Sequence, residues 1–89
     1  MLRIQSTANG ETVFTVSGRM DSGNLAELKN LIDAEARGRR IVLDLKDLVL
    51  VDRDAVRFLK RCESNGLDLR NCSAYIREWI SREQDGELF

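Results

Sequence analysis

Histidine and proline are both absent from the 89-residue sequence. Without histidine, no side chain has an ordinary pKa close to neutrality, and Ser–His and Cys–His nucleophile pairs are excluded along with the commonest zinc ligand. Without proline, the chain suits regular elements joined by short turns. Cysteine is limited to two residues, Cys62 on a helical pattern and Cys72 after a strand pattern. They read as buried thiols in a reducing compartment, with a structural disulfide or a redox pair as the alternative. No apolar run approaches the roughly 20 residues that span a bilayer, and the opening MLRIQSTANG lacks a signal-peptide core. A cytoplasmic protein is expected. No excess of one charge exists either: 14 Lys and Arg face 15 Asp and Glu, so the net charge of −1 gives no overall pull toward nucleic acid or anionic membrane. There is no glycine-rich phosphate loop and no metal-ligand spacing, so no cofactor is expected.

What remains is 43% hydrophobic and 33% charged, a composition of globular rather than disordered chains. The length allows one small domain with one core. Leu2 and Ile4 alternate with Arg3 and Gln5 as in a half-buried strand, Asn9-Gly10 signals a hairpin, and TVFTVSG supplies its second strand. Asn24, with Glu27 three positions on, predicts a capping box for a helix whose apolar positions are Leu25, Leu28, Leu31 and Ile32, stopped at Gly38. RRIVLDL and the KDLVLVD that continues it form the most buried stretch, an apolar run typical of parallel strands covered on both sides. A second helix turns Ala55, Val56, Leu59 and Cys62 inward, with Phe58 at their edge, and ends at Asn65-Gly66. Leu67 and Leu69 begin a short strand, and Ser73 caps a third helix with apolar positions Tyr75, Ile76, Trp79 and Ile80. The fold class is α/β: a small mixed sheet of about four strands with three helices, in the order β-β-α-β-α-β-α. Residues 1–82 form the domain and 83–89 a polar C-terminal tail.

Chemistry concentrates where strands end. Asp21 follows the second strand and Asp52 the buried one, so both belong to the carboxyl edge where α/β sheets gather their sites, together with Asp54. One reading is capping: a carboxylate of Asp52 or Asp54 satisfies free N–H groups at the start of the second helix, worth about 1 kcal/mol. Another is a carboxylate cluster for Mg²⁺ or a phosphoacceptor, since a divalent cation relieves the repulsion of close carboxylates. The response-regulator receiver uses such a cluster, but it needs five parallel strands and a late lysine that this chain lacks. Arg53, Arg57, Lys60 and Arg61 give the second helix a basic outer side, which suits a solvated face or a docking face. Acidic neighbours interrupt that stripe, which argues against nucleic-acid binding. Tyr75 and Trp79 suit core packing or a partner anchor.

The strings TVSGRMDSGNLAELKNLI and RRIVLDLKDLVLVDRDAVRFL resemble the STAS domain, the fold of bacterial anti-sigma-factor antagonists and of sulphate-transporter tails. Gly18-Arg19-Met20-Asp21 matches the family's Gly-x-x-Asp turn. Val51-Asp52 matches the start of its hydrophobic-Asp-Ser-Ser/Thr-Gly motif, while Arg53, Asp54 and Ala55 stand in place of the first hydroxyl residue, the phosphorylated Ser/Thr and the glycine. The resemblance implies a non-enzymatic regulatory module that binds an anti-sigma-factor or kinase-like protein through Asp21, Ser22, Asp52, Arg53, Asp54, Arg57 and Lys60. Asp54 is then the phospho-site equivalent, a permanent charge in place of a switch. Ser22, the nearest remaining hydroxyl, reads as a turn or cap residue. A small-ligand or Mg²⁺-binding module, or a STAS subunit of a transport or sensory complex, are the alternatives, and a homodimer is compatible with the sequence.

Overall fold

The computed structural model of the protein describes residues 2–8, 10–35 and 40–83. In chain order these form β1 (Leu2–Ala8), β2 (Thr12–Met20), α1 (Leu25–Glu35), β3 (Ile41–Asp44), β4 (Leu48–Val51), α2 (Arg53–Ser64), β5 (Asp68–Arg70) and α3 (Ala74–Arg82). The class is the expected one, a mixed sheet with three helices, but the sheet has five strands rather than four. The apolar run thought to be one strand is broken by a turn. Asp44 Oδ1 accepts the Lys46 N–H at 3.2 Å, and Leu48 N–H donates to the Leu45 carbonyl at 3.1 Å. An aspartate that bonds its own backbone two residues on is a standard turn maker, and it wins here over the apolar residues on either side.

That break sets the topology. β1 pairs antiparallel with β2 along its whole length, Leu2 opposite Gly18 through Ala8 opposite Thr12. The other edge of β2 is shared, with β3 lying parallel to Thr12–Thr15 and β4 parallel to Gly18–Met20. The register shifts between Gly18 and Arg19, where Gly18 has φ +92°, a conformation that favours glycine. β5 extends the sheet beyond β3.

Alternation along the strands separates two faces. Phe14 and Val16 of β2 and Ile41 and Leu43 of β3 join Leu28 and Ile32 of α1, Ala55, Val56, Leu59 and Cys62 of α2, and Ile76 and Ile80 of α3 in one apolar cluster. The opposite face carries Arg3, Gln5, Thr7, Thr15, Asp44 and Arg70. All four expected inward positions of α2 are buried, and fully burying a leucine such as Leu59 contributes about 1.5–3 kcal/mol. At its end, Gly66 (φ +93°) donates to Glu63 and Leu67 to Cys62, at 3.1 and 3.0 Å, which satisfies two terminal carbonyls.

Several expectations are corrected. Leu31 and Tyr75 are 39% and 49% exposed. Each sits about 100° around its helix from the buried Ile32 or Ile76, at the rim of the contact stripe. Asn24 does not cap α1 with its side chain, which turns back into the preceding loop. Glu83, assigned to the tail, is buried at the end of α3. Gly38 and residues 84–89 lie outside the described residues, as does Asn9.

Candidate functional site

Because β2 and β4 are parallel neighbours, their carboxyl ends open on one edge, and the residues that follow them meet. Asp52 N–H donates to the Met20 carbonyl at 3.3 Å, setting the end of β4 beside the start of the β2–α1 loop. Asp52 is the N-cap of α2, in extended conformation, and its carboxylate works in two directions. Oδ1 accepts from Ala55 N–H at 2.9 Å, closing the first helical turn, while Oδ2 accepts from Ser22 N–H at 3.0 Å, fastening the loop.

That loop is further knitted by its own side chains. Asp21 Oδ1 accepts from Gly23 N–H at 3.0 Å, and Arg19 Nε donates to Asp21 Oδ2 at 3.3 Å. Asn24 Oδ1 accepts from Asp21 N–H at 2.9 Å and its Nδ2 donates to the Arg19 carbonyl at 3.0 Å, so it stabilises the loop before α1 instead of capping it. All four carboxylate oxygens of Asp21 and Asp52 thus accept hydrogen bonds from protein donors. Among the described residues, no group of three or more His, Cys, Asp and Glu side chains is placed to hold a metal ion.

Two hollows flank Asp52 and Ser22. A shallow concavity of about 440 Å³ is lined by Arg19, Asp21, Ser22, Leu50, Val51 and Asp52. Leu50 is 52% exposed and Val49 65%, although both belong to a run that reads as buried. Among the described residues β4 pairs only with β2, and its register passes from Leu48 to Leu50 without Val49. The second hollow, about 510 Å³, lies between α1 and α2 and is lined by Leu25, Ala26 and Phe58 with Ser22, Asp54 and Arg57. It shares Lys29, Phe58 and Arg61 with a smaller neighbouring hollow lined by Ile32, Cys62 and Leu67. Asp54 stands exposed on the first turn of α2 at the mouth of this groove, with Arg57 and Arg61 further along.

The sequence-derived set therefore divides. Asp21, Ser22 and Asp52 are brought together around one loop, and Ser22 shares the groove with Asp54 and Arg57. Lys60 lines neither hollow, and Arg53 turns away. Arg57 Nε and Arg53 Nε donate to Glu83 Oε2 at 2.9 and 3.5 Å. The Arg57 hydrogen bond, aided by the Arg53 charge and opposed by desolvation, holds the Glu83 carboxyl below the usual carboxylate range. Sequence reasoning missed Glu83, since nothing local marks a glutamate at a helix end as the partner of arginines 26 and 30 positions earlier. Both thiols are free. Burial pushes Cys62 up to about 12 and raises Cys72 as well, so neither is a ready nucleophile at neutral pH.

No protein-family model and no curated protein matches the chain. Among the described residues, no helix is long and apolar enough to cross a membrane.

Proposed function

We propose that this chain is a non-enzymatic, cytoplasmic protein-binding module that docks an anti-sigma-factor or kinase-like partner on the corner built by the β2–α1 loop and the start of α2. The reading resembles that of a STAS-type anti-sigma-factor antagonist. The observation that carries it is the double engagement of Asp52, which turns a loop and a helix start from two chain segments into one rigid surface. A surface ordered before contact loses less entropy on docking. Beside it, the α1–α2 groove offers a partly buried aromatic, Phe58, under a basic rim, an arrangement suited to anchor residues at an interface.

Asp54 then defines the mode of action. A phosphoserine or phosphothreonine brings about −1.5 to −2 charges to a helix N-terminus, whereas Asp54 brings a constant −1 and no hydroxyl to modify. Partner choice is therefore set permanently in one state. Affinity purification of wild type, Asp54→Lys and Asp54→Ser followed by mass spectrometry tests this. Wild type should recover a specific protein that Asp54→Lys loses, and Asp54→Ser should either gain a phosphate or change the recovered set. If the three recover the same proteins, or none, the docking corner is wrong. Micromolar Mg²⁺ moving the amide resonances of residues 20–24 and 50–55 would instead support the ion-binding alternative.

A further inference from the structure

Arg53 and Arg57 lie one turn apart on α2 and aim at the same oxygen of Glu83. The Glu83 side chain is 7% exposed while that of Arg53 is 69% exposed, so the carboxylate, not the arginine, is the buried member. Among the described residues it is the only buried charged group. Its backbone N–H donates to the Trp79 and Ile80 carbonyls at 2.9 and 3.3 Å, so the last turn of α3 delivers it onto the first half of α2. At the other end of this helix pair Arg77 Nη1 donates to Glu63 at 3.0 and 3.2 Å, but there both side chains are 40% exposed or more. The two rivets are unequal: one is solvated, while the other is buried and ties the end of α3 to the first turns of α2, which border the docking corner.

We propose that Glu83 is an internal latch on that corner: seated, it neutralises the two guanidinium groups nearest the start of α2 and pins the end of α3; displaced, it frees two positive charges and loosens α3. The inference rests on the docking reading for its purpose, though not for its test. Among the described residues, the charged groups facing Glu83 are Arg53 and Arg57 from α2; on its own helix Arg82 pairs with Glu78 at 3.9 Å. An acidic group presented by a partner competes with Glu83 for the same donors, so occupancy of the corner is coupled to the position of α3.

The test compares the whole chain, wild type and Glu83→Gln, with Glu78→Gln as the control that breaks only the exposed pair. In wild type the Arg57 Nε–H resonance should be sharp and slow to exchange, and Glu83→Gln should lose that protection. Amide exchange at residues 79–83 should accelerate several-fold with no change at residues 55–62, and emission from Trp79, which is partly buried against the core, should shift to longer wavelength. Inorganic phosphate, used as the probe anion, should move the Arg53 and Arg57 Nε–H resonances several-fold more readily in Glu83→Gln than in wild type. Acidifying wild type should move the Arg57 Nε–H resonance toward its position in Glu83→Gln without any substitution, which covers the case of a variant that folds poorly. Equal Arg57 protection in wild type and Glu83→Gln, or equal response to phosphate, would overturn the latch. No partner enters these measurements, so the latch fails or stands independently of the docking surface.

Discussion

Asp52 shows how one side chain can serve two segments. Its two carboxylate oxygens accept one N–H each, from Ala55 and from Ser22, and an asparagine offers a single acceptor oxygen in their place. Asp52→Asn should retain a good cap, because asparagine caps helices as well as aspartate, and release the loop. Asp52→Ala removes both and should cost about 1–2 kcal/mol in urea unfolding. The Ser22 amide resonance should move in both variants, while the Ala55 amide resonance moves strongly only in the alanine variant. If Asp52→Asn leaves the Ser22 amide unmoved, the clamp is not a real feature. The cysteines give a second prediction. With Cys62 buried and its thiol pushed up to about 12, alkylation of the native protein in mild base should label Cys72 first, read by mass spectrometry of peptides. Earlier labelling of Cys62 would contradict its burial.

Helix α2 is held at both ends by different means, and each can be tested. Gly66 takes φ +93° with nothing within 4 Å of the place a Cβ would occupy, so the cost of Gly66→Ala is conformational alone. That cost is about 1 kcal/mol, seen as a lower urea midpoint, and asparagine at the same place should recover part of it. The tie from α2 to α3 is electrostatic and depends on pH. The Glu83 pKa is lowered in the folded chain, so its contribution is complete above the unfolded carboxylate value and disappears as pH falls through the folded one. The stability difference between wild type and Glu83→Gln should be largest at neutral pH and shrink steadily as pH falls below the ordinary carboxylate range, measured by denaturant unfolding across that range. A gap that persists in acid would mean that Glu83 acts through packing rather than charge.

Among the described residues, one apolar cluster takes in all three helices and the central strands. Small domains have little stability to spare, often near 5 kcal/mol. Leu59→Ala, at a position with no exposure, should cost about 2–5 kcal/mol and leave a substantial unfolded population by circular dichroism. Leu31→Ala, in the same apolar class but 39% exposed, should cost well under half as much. Equal costs would mean that α1 buries a wider stripe than Leu28 and Ile32.

The contrast between Leu59 and Leu31 also marks how far periodicity reads. On α2 the stripe Ala55, Val56, Leu59 and Cys62 is legible because helix period and burial coincide, and charged residues flank it closely enough to leave one solution. On α1 the same spacing over-counts, since period gives direction around a helix but not the width of what it meets. Asp21 and Asp52 were legible as neighbours at a sheet edge, since parallel strands bring their following residues together wherever the loops are short. The broken strand was not: RRIVLDL and KDLVLVD run on as one apolar stretch until the turn at Asp44–Asp47 is seen. That turn makes β4 a separate strand, on which Leu50 is exposed.

Local chemistry was enough to settle the α/β class, the three described helices and the end of α2 at Asn65-Gly66, because these depend on neighbours a few positions apart. Which oxygen of Asp52 reaches Ser22, which arginines meet Glu83 and which apolar residues stay in water depended on segments some 30 positions apart being packed together. Contacts of that kind leave no mark on either partner's own surroundings, so only the folded chain decides them.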